Sequence, residues 1–140
     1  GLPDAREPQV GADGGAGFRS GVVGTFAPGT EVDAELDAVL DGLVALAARD
    51  DGLSLLPRTI RYIEDRRAEE RRFTGAIEEH PSPVALVWGD EDPVAVHAMA
   101  DRCVSVRQDA PLATLAGVGH YPMLEAPDAF ATAVLAHLEG

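Results

Sequence analysis

The sequence predicts an α/β chain, and two observations carry that reading. Residues 31 to 80 repeat apolar side chains at spacings of three and four, the helical period, without a strand-like run. Residues 81 to 140 then alternate short apolar runs with helical stretches, the strand, helix, strand, helix order from which parallel sheets are built.

Taken in order, residues 1 to 30 are rich in Gly, Pro and Ala and sustain no periodicity, so they read as loop and connector. The Gly cluster at 11, 14, 15 and 17 follows no strand and gives no G-x-G-x-x-G match, which argues against a phosphate cradle. From Glu31 to Arg49, Val32, Leu36, Val39, Leu40, Leu43 and Ala47 fall on one helical face, with Thr30 as the expected N-cap. A second helix is expected from Leu56 to Arg66 with Pro57 in its first turn. A third runs from Ala68 to Glu79, ended by Pro81 and Pro83. "VALVW" at 84 to 88 reads as a fully buried parallel strand. Pro93 precedes a helix from Val94 to Val106, "LATLAGVG" at 112 to 119 reads as a second strand, and Pro127 opens a last helix. Two strands cannot form a stable sheet alone, so neighbours are expected from sequence outside these residues. Gly1 in place of an initiating methionine, followed by loop-like composition, reads as a chain cut from a longer one.

At 140 residues and 46% hydrophobic, the chain is large enough for one domain with a core. Its 11 basic against 24 acidic residues give a net charge of -13, which repels phosphate backbones and anionic membranes. Neither nucleic acid nor membrane is therefore an expected partner. The single cysteine, Cys103, cannot form an internal disulfide and offers no zinc-ligand spacing, so no metal or organic cofactor is implied. Apolar stretches such as "GLVALAA" fall far short of the roughly 20 residues that a membrane span needs. A cytoplasmic protein acting on a small-molecule substrate is expected, with oligomeric state left open.

In open parallel sheets, reactive residues sit just past the carboxyl ends of the strands. "GDEDP" at 89 to 93 offers Asp90, Glu91 and Asp92 there, and "GHYPMLEAP" at 119 to 127 offers His120. Alone, Asp92 reads as a helix N-cap ahead of Pro93, and His120 as a loop histidine bonded to backbone. Their joint placement changes that. A histidine base needs a second group to fix its tautomer and stabilise the imidazolium, and adjacent parallel strands bring these two loops within reach.

The stretch "PVALVWGDEDPVAV" followed by "LAGVGHYPMLEAPDAF" resembles the C-terminal signature of the α/β-hydrolase fold, in its haloalkane dehalogenase and epoxide hydrolase-like branch. There an apolar strand ends in W-G-x-x-D-P, and a later G-H-x-P-x-x-E-x-P carries the histidine. The resemblance implies a C-terminal fragment of an α/β-hydrolase sheet preceded by a helical cap region. Residues 1–30 are then connector, 31–80 cap, and 81–140 the last strand and helix pairs. It also implies that Asp92 is the triad acid, with Asp90 as fallback, and that His120 is the triad histidine. Glu125 is implied to make a structural contact, while Pro122 and Pro127 shape the turn and open the helix.

"LLPRTIRYIEDRR" resembles a cap helix. Tyr62 is the cap residue worth naming, because cap tyrosines in epoxide hydrolases polarise the epoxide oxygen; an ordinary half-buried interface aromatic is the competing explanation. His80, His97 and His137 read as surface or packing residues. The nucleophile of this fold sits on a G-x-[SD]-x-G turn upstream of the acid. None of Ser20, Ser54, Ser82 and Ser105 fits, since "GLSLL" at 52 to 56 lacks the second glycine and follows no strand. The implied function is the C-terminal portion of a hydrolase that cleaves an ester, epoxide or carbon–halogen bond through a covalent intermediate, its nucleophile lying outside the chain. The alternative is a short non-catalytic protein that keeps the sheet edge as an interaction surface.

Overall fold

The computed structural model describes residue 13 and residues 15–139. The loop expected over 1–12 lies outside that range. Within it, the connector assignment is corrected by α1, Ala16–Val23. Its glycines are poor helix formers and mask the signal, but Phe18, Val22 and Val23 share one face, and tertiary packing decides the matter. Val22, Phe26 and Leu40 form the buried cluster, with Leu36, Leu43, Tyr121 and Leu124 against it.

The second helix, α2, runs Ala34–Ala48. Asp33, and not Thr30, caps it by accepting the Leu36 N–H at 2.8 Å. Thr30 turns instead toward the Ala27 carbonyl. The exit from α2 is a 3-10 turn, Arg49–Asp51, in which Asp50 and Asp51 both adopt left-handed backbone (φ 50° and 62°). That reversal starts α3, Gly52–Thr59, earlier than the spacing suggests and leaves Pro57 inside the helix, not in its first turn. A Cβ at Gly52 would lie 2.4 Å from the Ala47 carbonyl oxygen, which restricts this corner to glycine. Two further short helices follow, α4 (Tyr62–Ala68) and α5 (Glu70–Glu78).

Strands β1 (Leu86–Gly89) and β2 (Leu112–Leu115) pair in parallel, Leu86 opposite Leu112 and Gly89 opposite Leu115. Both are shorter than the apolar runs that announce them. Between them α6, His97–Val106, begins three residues later than expected, because the Asp92 side chain holds the Val94 and Ala95 amides in a turn. Buried Arg107, just past α6, donates to the Ile77, His80 and Ser82 carbonyls and to both oxygens of Asp109. It thus fastens the chain leaving α5 to the end of α6. One-turn α7 (Pro122–Glu125) and α8 (Pro127–Glu139), each opened by its proline, complete the order, with α8 lying on both strands.

The expectation of a fully buried first strand is not met: Leu86, Val87 and Trp88 are only partly buried. The physical reason is that the sheet has two strands and no others to cover its remaining edges among the described residues. Large apolar side chains are also exposed elsewhere, Leu46 at 63%, Ile60 at 59% and Leu138 at 76%. Each one left in water forgoes roughly 1.5 to 3 kcal/mol of burial. We therefore expect the isolated 140-residue chain to bind a hydrophobic dye and to melt without a sharp transition. A dye-silent, cooperative melt would contradict this. No helix among the described residues is long and apolar enough to cross a membrane.

Candidate active site

Pairing between the two strand ends continues into the loops that follow. The Asp90 amide donates to the Leu115 carbonyl at 3.1 Å and the Glu91 amide to that of Val118 at 3.0 Å. Asp90 also accepts the Gly117 N–H through its carboxylate at 2.7 Å, which steadies a residue of positive φ (68°). Asp90, the fallback acid, is thereby committed to the neighbouring turn. At Gly89 a Cβ would meet the Val118 carbonyl oxygen at 2.2 Å, so the loops lie backbone on backbone.

This stitching brings Asp92 and His120 together. His120 Nδ1–H donates to Asp92 Oδ2 at 2.8 Å. The other carboxylate oxygen, Oδ1, accepts the Val94 and Ala95 amides, both at 2.8 Å. The N-cap role and the histidine contact are thus divided between the two oxygens of one side chain. Burial pushes the Asp92 carboxyl up, but the hydrogen bonds from His120, Ala95 and Val94 and the charge of the imidazole outweigh it, holding the carboxyl below its ordinary value of 3.8. Asp92 is therefore ionised at neutral pH, and an ionised carboxylate is an acceptor only, so the ring nitrogen facing it, Nδ1, carries a proton and Nε2 is the nitrogen turned away from Asp92. The Asp92 side chain is 7% exposed and that of His120 33%, so the acid is covered while the imidazole reaches the surface. A cavity of about 240 Å³, walled by Trp88, Ala95, Met123 and Phe130, touches both. In its wall Trp88 Nε1–H donates to the Ala95 carbonyl at 2.7 Å, tying the turn after Asp92 to β1.

The histidine loop rests on a segment that sequence reading missed. The His120 amide donates to the Thr25 carbonyl at 3.0 Å. A Cβ at Gly119 would sit 2.4 Å from the Ala27 nitrogen. Tyr121 stacks edge-on against both Phe26 and His120, with ring centroids 6.1 and 5.2 Å away. Phe26, a lone aromatic in a Gly- and Pro-rich stretch, was the available hint. Glu125 makes structural contacts, accepting the Ala27, Gly119 and Tyr121 amides.

The remaining candidates lie apart. Tyr62 is half exposed on α4 beneath the Arg66 guanidinium, 5.6 Å from its ring centroid, and does not line the cavity at His120. Ser54 and Ser105 donate to their own helices, at Asp51 and Arg102, and no serine among the described residues bonds His120. His97 bridges Asp101 and Thr114, and the His80 ring accepts the Ser82 amide. His137 has its Nε2 buried without a partner among the described residues.

The sequence profile of the alpha/beta hydrolase family matches residues 2–133. The chain belongs to that family. It is 37% identical over 93 residues to LipZ of Mycobacterium tuberculosis, a protein whose name assigns it only provisionally to the hydrolases; the match takes in 66% of this chain and 32% of LipZ. It is 25% identical over 122 residues to the mesoderm-specific transcript protein of Mus musculus, across 84% of this chain and 35% of that one. The fold also matches the crystal structure of CarC, a serine hydrolase involved in carbazole degradation. There the TM-score is 0.62 at 21% identity, over 86% of this chain and 47% of CarC. This alpha/beta hydrolase chain spans about a third of the length of the curated relatives it matches.

Proposed function

We propose that residues 81–140 supply the acid and the base of a hydrolase triad, Asp92 and His120, to a nucleophile carried by sequence outside this chain, and that residues 31–80 belong to its cap. The observation supporting this reading is the Nδ1 to Oδ2 hydrogen bond of 2.8 Å, in which a covered, ionised carboxylate holds a partly exposed imidazole whose Nε2 has no hydrogen-bond partner among the described residues. Family membership and the hydrolase name borne by LipZ support it as well.

In this reading the substrate is a small molecule with an ester, epoxide or carbon–halogen bond. A carboxylate nucleophile displaces halide or opens the epoxide ring, whose oxygen stays on the substrate as an alkoxide and takes a proton from solvent. A serine hydroxyl instead gives its proton to Nε2 as it bonds to the ester carbon, and Nε2 passes that proton to the departing alcohol. Nε2 then takes a proton from water as its oxygen attacks the enzyme-bound ester, and the imidazolium formed, held by Asp92, returns the proton to a leaving group. Asp92 stays ionised throughout.

The rival reading, a non-catalytic protein that uses its open sheet edge for interaction, draws on the exposed apolar side chains. Turnover decides between them. The complete protein is expected to hydrolyse p-nitrophenyl acetate, styrene oxide or 1-bromobutane in a manner abolished by His120→Gln, and the 140-residue chain alone to show none above buffer. Wild-type rates in the His120→Gln protein would sink the triad reading.

A further inference from the structure

The structure assigns Glu125 as the positioning residue that holds His120 in register with Asp92, an inference that rests on the triad reading above. The three consecutive amides of the histidine loop are all committed. Gly119 N–H donates to Glu125 Oε2 at 2.9 Å, His120 N–H to the Thr25 carbonyl at 3.0 Å, and Tyr121 N–H to Glu125 Oε1 at 3.0 Å. The segment that receives the His120 amide is tied to the same carboxylate, through Ala27 N–H at 2.7 Å and, more loosely, the Thr30 hydroxyl at 3.3 Å. The result is a closed ring from Glu125 through Gly119 and His120 to residues 25–27 and back.

That ring has a purpose its geometry reveals. β2 ends at Leu115, Gly117 carries φ 68° and α7 begins only at Pro122, so residues 119–121 belong to no strand or helix. The imidazole must nevertheless meet Asp92 within hydrogen-bond distance, and a slip of about 1 Å is enough to spoil such an arrangement. Glu125 grips the residues on both sides of His120, so it fixes where Cα of residue 120 lies and hence where Nδ1 falls. A carboxylate suits the task because it only accepts, and bonds from N–H groups to a charged acceptor are stronger than neutral ones. Gln at 125 would keep an oxygen for Ala27 and Gly119 but turn an NH2 toward the Tyr121 N–H, two donors face to face.

The test uses the complete hydrolase and needs no substrate. A histidine Nδ1 proton bonded to a carboxylate gives a downfield proton resonance, assigned here by its loss in His120→Gln and Asp92→Asn. Glu125→Ala is expected to speed exchange of that proton with water by about tenfold or more, which corresponds to about 1.4 kcal/mol in the opening equilibrium of the loop. The melt should stay cooperative. Glu125→Gln should exchange faster than wild type but slower than Ala, and it is read alone should the Ala protein not fold. Wild-type exchange in whichever of the two variants folds overturns the positioning role. A wild-type protein without the downfield resonance instead overturns the Asp92–His120 pairing on which the role depends.

Discussion

On the proposed triad, His120→Gln in the full-length protein is expected to lower kcat by about 10⁴ or more, and the point at which the reaction stops identifies the nucleophile. An amide has no basic nitrogen, so Gln cannot accept a proton, although its NH2 can still donate to Asp92 Oδ2 and keep that buried carboxylate bonded. Large loss of activity without loss of fold is therefore the expected pattern. Should the nucleophile be an aspartate, its carboxylate attacks carbon and expels halide or opens the epoxide without help from a base. His120 is then needed only for the water that cleaves the resulting ester. The variant accumulates a covalent adduct, and the intact mass rises by that of the transferred group. Should the nucleophile be a serine, its proton must pass to Nε2 before attack, and the variant stays unmodified. Mass spectrometry after incubation with substrate separates the two. A variant that turns over at the wild-type rate would remove His120 from the reaction.

Much of this arrangement was legible in the residues because it depends on local chemistry. The Val-rich run ending at Gly89, the carboxylates after it, and His120 after the second apolar run place Asp92 and His120 beyond adjacent parallel strands, and the structure sets them 2.8 Å apart. Pro127 announces α8 correctly because proline in a first turn forfeits no helical hydrogen bond. Less visible was the support beneath His120. Thr25 and Ala27 hold this loop through backbone groups, which leave no residue pattern: the Thr25 carbonyl accepts the His120 amide, and the Ala27 amide donates to Glu125 across 98 residues. Likewise the helix at 16–23 is held by its packing on α2 and the histidine loop, a long-range effect that overrides the weak propensity of its glycines.

The double use of Asp92 also hid the start of α6. Its Oδ1 caps the Val94 and Ala95 amides, so residues 93–96 form a turn where a first helical turn was expected from Pro93. A residue read as either a cap or a catalytic acid proves to do the first with one oxygen while offering the second oxygen to histidine.

That division makes Asp92→Asn a sharper substitution than its size suggests. Asn has one acceptor oxygen, and two amide donors fixed in a turn claim it in the place of Oδ1. The NH2 group must then face His120 Nδ1, which becomes an acceptor, and the ring proton moves to Nε2. The imidazole keeps its position in the wrong tautomer, with no lone pair toward the substrate and no anion to stabilise its cation. We expect kcat/KM to fall by about 10⁴ while the fold is kept, the melting temperature at neutral pH dropping only by the charge contribution that Asn cannot make. Asp92→Ala should instead lose activity and stability together, because the turn amides lose their acceptor at about 1 to 3 kcal/mol for a buried group. Acid reveals the other side of the same charge. The folded carboxyl of Asp92 lies below its ordinary value of 3.8, so it stabilises the fold above that pH, and the contribution is lost as pH falls through the lowered folded value. The Asn protein has no such proton to take up. Denaturation followed from neutral pH to below pH 3.8 should show wild type losing more stability than Asp92→Asn in that acid window. Parallel curves would mean that Asp92 is not held ionised by its partners, and an Asn variant within twofold of wild-type activity would mean that the carboxylate does not orient the histidine.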